Sequence, residues 1–302
     1  MSQASTSHIV QSLIVNLVIA ASKGVAAAIS GSGAMLAETL HSFADCGNQL
    51  LLLLGVKRTG RAPDAKHPMG YGRELYFWSF MVALLLFSGG GVFSIYEGIH
   101  KTLHPEKVES VTLGLIVLAI AFALEGWATF GNVRELNRRR GAVPFFRYLQ
   151  RTKDSDLVVV FGENSAAVLG LVFAMASLLL SAATGDGRWD GIGSLAIGVV
   201  LIAVAVFLAV EVKSLLVGEA ADPELEQTIR QLAETDPNVD EVLRILTTQQ
   251  GPGEVVVALK LRMKAGLTTG GSLCAAINAF ERELKAKAPE VKWSFIEPDM
   301  RD

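Results

Sequence analysis

The chain has 302 residues, 51% of them hydrophobic, with 27 Lys and Arg against 30 Asp and Glu for a formal net charge of −3. A mean hydropathy of +0.40 excludes an ordinary soluble domain, whose charges are spread along the chain, and points to a bilayer. That balance marks no nucleic-acid partner, and two isolated cysteines, Cys46 and Cys274, exclude a disulfide framework or a thiolate metal cage.

Six apolar segments approach the twenty or so residues needed to cross roughly 30 Å of hydrocarbon: 9–29, 34–56, 76–99, 111–130, 157–183 and 192–210. The first has no basic leader and no clear small-residue cleavage site, and it contains Asn16 and Lys23; it reads as a retained helix rather than a signal peptide. Lys57, Arg58, Arg61, Lys66 and Arg73 follow the second segment, and Arg134, Arg138, Arg139, Arg140, Arg147, Arg151 and Lys153 follow the fourth. The alternate loops hold only Lys101, Lys107 and Arg188. This asymmetry puts both termini in the cytoplasm or its topological equivalent. A bacterial plasma membrane is the expected setting, with an organelle membrane as the alternative.

After residue 217 the character changes. Asp222-Pro223 is a helix start, with Asp as N-cap and Pro in the first turn. Leu225, Ile229 and Leu232 mark one face of that helix, and 239–247 reads as a strand leading into the turn cluster Gln250-Gly-Pro-Gly253. In a second strand, 254–264, Val255, Val257, Leu259, Leu261 and Met263 share a face. Ser272 is the expected cap of a helix bearing Leu273, Ile277, Phe280 and Leu284, and Val291, Trp293 and Phe295 alternate in a last strand. The chain therefore divides into a six-helix membrane domain, 1–217, and a small αββαβ domain of the α+β class, 218–302. So small a core favours dimerisation.

Within the apolar segments lie Lys23, Glu38, His41, Asp45, Glu125 and Glu163. An ionised side chain facing lipid at the bilayer centre costs about 2.5–3.5 kcal/mol or more, so these groups either pair or line a path. His41 and Asp45, four apart, stack on one helix face and make half a metal site, and an imidazole with a carboxylate suits zinc and its neighbours. A buried His–Asp hydrogen bond is the structural alternative. In the fifth segment Glu163-Asn164 interrupts an apolar run, and Ala166, Gly170 and Ala174 form a small-residue stripe that permits close helix approach. Such approach brings Glu163 toward His41 and Asp45. Glu125 is expected to pair with Lys23, and Glu38, three residues before His41, to hydrogen-bond behind the ligands or relay protons. His8, His100 and His104 read as interfacial residues.

The string HSFADCGNQ at 41–49, with PDAKHPMGYGRE at 63–74, resembles the cation diffusion facilitator family of zinc transporters. GENSAAVLG at 162–170 and FIEPD at 295–299 resemble the branch with the mitochondrial-type zinc transporter and its bacterial relatives. The resemblance implies a homodimer docked through ferredoxin-like tails, each protomer exchanging a metal ion for protons by alternating access. It carries His41 and Asp45 over as transport ligands. The family's fifth-span pair falls on Val160 and Asn164, so Glu163 is the substitute carboxylate, completed by Asn164 or water. Asp64 and His67 match positions of a second zinc site, although Tyr71 stands where that site has a further His. The tail contains no His, whereas family tails often bind metal through several; Glu297 and Asp299 are candidate oxygen ligands, and a purely dimerising tail is the expected reading.

The expected function is export of a divalent transition-metal ion, Zn²⁺ first, in exchange for protons, with zinc as cargo and no cofactor. The alternatives are a Mn²⁺, Fe²⁺ or Co²⁺ carrier of the same fold, a carrier of organic solute bound by Lys23 and Glu125, or a membrane scaffold. An intramembrane metallohydrolase is set aside, since no HExxH occurs and no general base stands beside the ligands.

Overall fold

In the computed structural model, which describes residues 3–59, 61–152, 155–267 and 269–301, the apolar segments become long helices. They are α1 (Gln3–Ser30), α2 (Gly33–Thr59), α3 (Glu74–Leu85) continuing through a π-helical stretch into α4 (Phe93–Leu103), α5 (Val111–Arg139), α7 (Ser155–Thr184) and α8 (Arg188–Val217). A short helix that the sequence reading did not anticipate, α6 (Phe145–Arg151), lies in the basic loop; Lys153 falls outside the described residues. Among the described residues, four helices are long and apolar enough to cross a membrane: α3–α4 as one rod, α5, α7 and α8. In α1 the apolar stretch is the shorter Asn16–Ser30.

Lipid tails are as apolar as leucine, so such helices associate through close packing and internal polar bonds. The chain supplies both. Gly91 and Gly98 on the α3–α4 rod meet Gly198 and Gly191 on α8 so closely that an added Cβ at Gly98 would lie 2.8 Å from the Gly191 carbonyl oxygen, and one at Gly198 3.0 Å from that of Gly91. Ser194 reinforces the seam, its hydroxyl donating to the Ser94 carbonyl at 2.9 Å. The π-helical stretch, Leu86–Val92, contains three consecutive glycines, and Ser94 returns a hydroxyl to the Gly90 carbonyl at 2.7 Å. Such stretches widen one turn and re-aim the face that follows.

One end of the bundle is tied by a carboxylate that the sequence reading passed over. Asp190, in the first turn of α8 and 1% exposed, accepts from the Ser32 hydroxyl and the Gly33 N–H, each at 2.5 Å, and from the Ala34 N–H at 3.3 Å. It thus caps the start of α2, where unsatisfied N–H groups and the positive end of the helix dipole favour an anion. At the same end the Glu109 N–H donates to the Ser30 carbonyl at 2.9 Å, and Lys101 bonds the Gly31 carbonyl and the Glu106 carboxylate, each at 2.8 Å. Inward of this closed end, Ala26, Ala27, Met35, Leu118, Ala121, Leu171 and Leu178 fill the bundle.

The chain resolves into two compact units, one drawn from residues 1–55, 78–150 and 155–212, the other from 56–77, 151–154 and 213–302. The second holds α9 (Pro223–Thr235), β1 (Val239–Gly251), β2 (Glu254–Met263), α10 (Gly270–Lys287) and β3 (Val291–Pro298). Its sheet runs β1-β2-β3, with β1 antiparallel and β3 parallel to β2. Val255, Val257, Leu259 and Leu261 are buried beneath Ile229, Leu232, Phe280 and Leu284 of the two helices, as their periods require. Two expectations are corrected. The cap of α10 is Thr269 rather than Ser272; Ser272 is the reciprocal partner three residues on, in a capping box. In β3, a register shift where Val255 and Val256 pair with Val291 and Trp293 turns the following residues over, so Ile296 faces the core and Phe295 is 54% exposed. The loop before α3 belongs to this unit: Gly72 packs on the β1–β2 turn, where a Cβ would lie 2.5 Å from the Gln250 carbonyl oxygen.

Candidate metal-transport site

Four helices of the first unit, α1, α2, α5 and α7, enclose a cavity of about 500 Å³. Its polar wall is Asn16, Ser42, Asp45, Gln49, Glu125, Asn132, Glu163 and Asn164. Each helix contributes at helical spacing: α2 offers Ser42, Asp45 and Gln49, and α7 offers Val160, Glu163, Asn164 and Ala167. Glu163 and Asn164 therefore share one wide cavity without competing for a single direction.

His41 and Asp45 are brought together as their spacing requires, with Nδ1 3.6 Å from Oδ1. The contact is too long for a hydrogen bond, and neither nitrogen of this buried ring has a partner among the described residues; Oδ1 of Asp45 is also unpartnered. Buried polar groups are nearly always satisfied, so an imidazole and a carboxylate oxygen left open beside each other suit a ligand. His41 lies behind the wall, 1% exposed, while Asp45 at 20% reaches the cavity. Across the cavity Glu163 accepts from the Asn48 amide at 2.6 Å. No three His, Cys, Asp or Glu side chains converge on one point among the described residues, so the donors are gathered but not closed around an ion.

The sequence reading missed Asn48. It lies seven residues after His41 and three after Asp45, a periodicity that was visible. Gln49, four residues after Asp45, and Asn132, seven after Glu125, line the cavity wall at the same helical spacing, which was equally visible.

Lys23 does pair with Glu125, Nζ to Oε1 at 2.9 Å, but it also binds Glu38 Oε2 at 3.2 Å and the Ser42 hydroxyl at 2.9 Å. Glu38 is therefore turned to Lys23, and no hydrogen bond joins it to His41 as expected from their spacing. The glycine of the small-residue stripe makes room for it, since a Cβ on Gly170 would collide with the Glu38 carboxylate.

In the other unit, Asp64 and His67 are adjacent, but their groups are engaged. The Asp64 carboxylate accepts from the Lys66 N–H at 2.9 Å, the His67 N–H at 2.8 Å and the Tyr71 hydroxyl at 2.5 Å. These donors, the Tyr71 hydroxyl foremost, hold its carboxyl below the usual carboxylate range. The His67 ring lies on Tyr71 with centroids 4.3 Å apart. The arrangement is that of a clasped turn.

A bundle of long helices, four of them long and apolar enough to cross a membrane among the described residues, defines an integral multi-pass membrane protein. The chain belongs to the cation efflux family: residues 9–217 match the model of its transmembrane domain. Members of that family are transporters and not enzymes. Over 229 residues, 75% of this chain, it is 35% identical to the proton-coupled zinc antiporter SLC30A9, mitochondrial, of Xenopus laevis, and over 228 residues 33% identical to the human protein of that name. Metal tolerance protein C4 of Arabidopsis thaliana is 31% identical over 246 residues, 81% of this chain. The chain spans 41%, 40% and 52% of those relatives' lengths.

Proposed function

We propose that this protein is a secondary active transporter that moves Zn²⁺ out of the cytoplasm in exchange for protons, by alternating access. The observation that carries this reading is the open donor set at the cavity: two unpartnered nitrogens on His41 and an unpartnered oxygen on Asp45, all buried, opposite Glu163. On this reading His41, Asp45 and Glu163 bind the ion, and Asn164 or water completes four-coordination. A metal needs His41 neutral and the carboxylates ionised, so loading from one side releases protons and protonation from the other expels the ion. Zinc is here the cargo. The oxygen-rich α7 wall favours a second reading with Mn²⁺, Fe²⁺ or Co²⁺ as the ion, since carboxylate and amide oxygens suit harder ions.

Six membrane spans within 1–217, both termini on the cytoplasmic side, and a dimerising tail at 218–302 complete the proposal. Leu246 and Phe295, 57% and 54% exposed on the tail's sheet, support a homodimer. The loop pair Asp64 and His67 forms a second metal position only if an ion displaces the Tyr71 hydroxyl. Metal uptake into proteoliposomes under an imposed pH gradient, with each of the four ions, tests the reading. Gradient-driven uptake of one ion, falling to the rate of empty vesicles in Asp45→Ala, is expected; no uptake of any ion by folded protein sinks it.

A further inference from the structure

Just beyond the cavity, toward the closed end, sits a single buried ammonium. Lys23, fully buried, bonds α2 through Glu38 and Ser42 and α5 through Glu125, so one side chain of α1 gathers three helices at one level. The fourth, α7, closes on the same level through Gly170, whose missing side chain admits the Glu38 carboxylate. Glu125 and Ser42 belong to the cavity wall; Lys23 and Glu38 lie just beyond it, toward the closed end. Past them the bundle is filled by apolar Ala26, Met35, Leu118 and Leu178, and among the described residues the only buried carboxylate beyond is Asp190, which is engaged at the start of α2. An ion in the cavity that is to leave by the closed end must pass this level first.

The cluster is poorly made for a purely structural role. One ammonium faces two carboxyl groups, and Glu38 Oε1 and Glu125 Oε2 are left without partners. A buried tie needs one carboxylate fully satisfied, not two half-used ones. Glu125, 20% exposed, reaches the cavity that Asp45 and Glu163 also line. A divalent cation held there attracts Glu125 and repels Lys23, acting on both partners of one ion pair in the direction that separates them.

We propose that Lys23 is the bolt that seals the cavity toward the closed end, and that a divalent cation at Asp45 draws it by competing for Glu125. Lys23 is thus a positioning residue, holding helices rather than binding the ion. The second half of the proposal rests on the transport reading above; the seal itself does not, and the test separates the two.

In reconstituted full-length protein with Cys46→Ala and Cys274→Ser, an Ala128→Cys reporter on the cavity wall is exposed to a membrane-impermeant thiol reagent from each face of the membrane. With Lys23 intact, the reporter reacts from one face. Lys23→Met is expected to raise labelling from the other face at least 10-fold, and Lys23→Arg, which keeps the charge and the reach, to leave it low. Labelling unchanged in Lys23→Met overturns the seal. If Lys23→Met does not fold, the pair Glu38→Gln with Glu125→Gln takes its place, with the same rise expected; unchanged labelling in that pair overturns the seal in turn. For the coupling half, Lys23→Met is expected to pass the transported ion without an imposed pH gradient; a variant that leaks thiol reagent but remains strictly gradient-driven overturns that half alone. Absence of transport in every variant, with the labelling rise present, counts against the transport reading and leaves the seal standing.

Discussion

Three glycines of the α3–α4 rod, Gly89, Gly90 and Gly98, meet three different surroundings, and substituting each by alanine separates packing from helix propensity. A Cβ at Gly89 meets nothing within 4 Å; at Gly90 it meets the mobile end of Leu201 at 3.1 Å; at Gly98 it lies 2.6 Å from the Leu195 backbone nitrogen and 2.8 Å from the Gly191 carbonyl oxygen. Restoring an ordinary contact at Gly98, from 2.6 to about 3.4 Å, requires the rod and α8 to separate by about 0.8 Å, because backbone cannot swing aside. Overpacking of this kind costs about 1–3 kcal/mol. Gly89→Ala should instead gain up to about 1 kcal/mol from helix propensity, and Gly90→Ala should fall near neutral. The fraction of protein remaining monodisperse in detergent after graded heating gives the ranking. Gly98→Ala melting at or above Gly89→Ala would refute the close backbone seam.

Asp190→Ala should cost about 2–3 kcal/mol by orphaning the Ser32 hydroxyl and two N–H groups at the start of α2, with Asp190→Asn losing less because an amide oxygen still accepts; equal melting of the alanine variant and the parent would count against the cap. In the tail, the Lys260 ammonium, 2.8 Å from Asp299, holds that carboxyl below its ordinary value of 3.8. A lowered folded pKa contributes stability above the unfolded value and loses it as pH falls through the folded one. Protection factors in β3, with exchange rates referred to the intrinsic rate at each pH, should therefore fall below about pH 4 in the parent and respond less in Asp299→Asn; identical acid responses would remove the pair from the account.

What was legible in the sequence was what a local period or a local cost enforces. Charges in apolar spans must find partners, which foretold Lys23 with Glu125; alternation in β2 foretold its buried face; Asp222-Pro223 marked the start of α9. Long-range choices were not legible. Glu38 sits one turn from His41 yet bonds a lysine fifteen residues upstream, a preference set by which charge reaches it first. The spacing of Gly91 with Gly98 and of Gly191 with Gly198 stands in the sequence, but nothing local says that the two pairs meet. Likewise a one-residue slip in β3 exchanged Phe295 for Ile296 in the core, because alternation fixes period and not phase.

The Asp190 cap also sets how α2 can move. A helix held by its first turn pivots there instead of sliding, and displacement grows with distance from the pivot. At 1.5 Å per residue, Asp45 is about 18 Å along α2 from Gly33 and Thr59 about 40 Å, so a 10° tilt carries them by about 3 and 7 Å. Three ångströms is the difference between a carboxylate that reaches an ion and one that does not. The far end of α2 then works as a long lever with Asp45 partway along it, so modest tilts move the cavity mouth and the Asp45 carboxylate together.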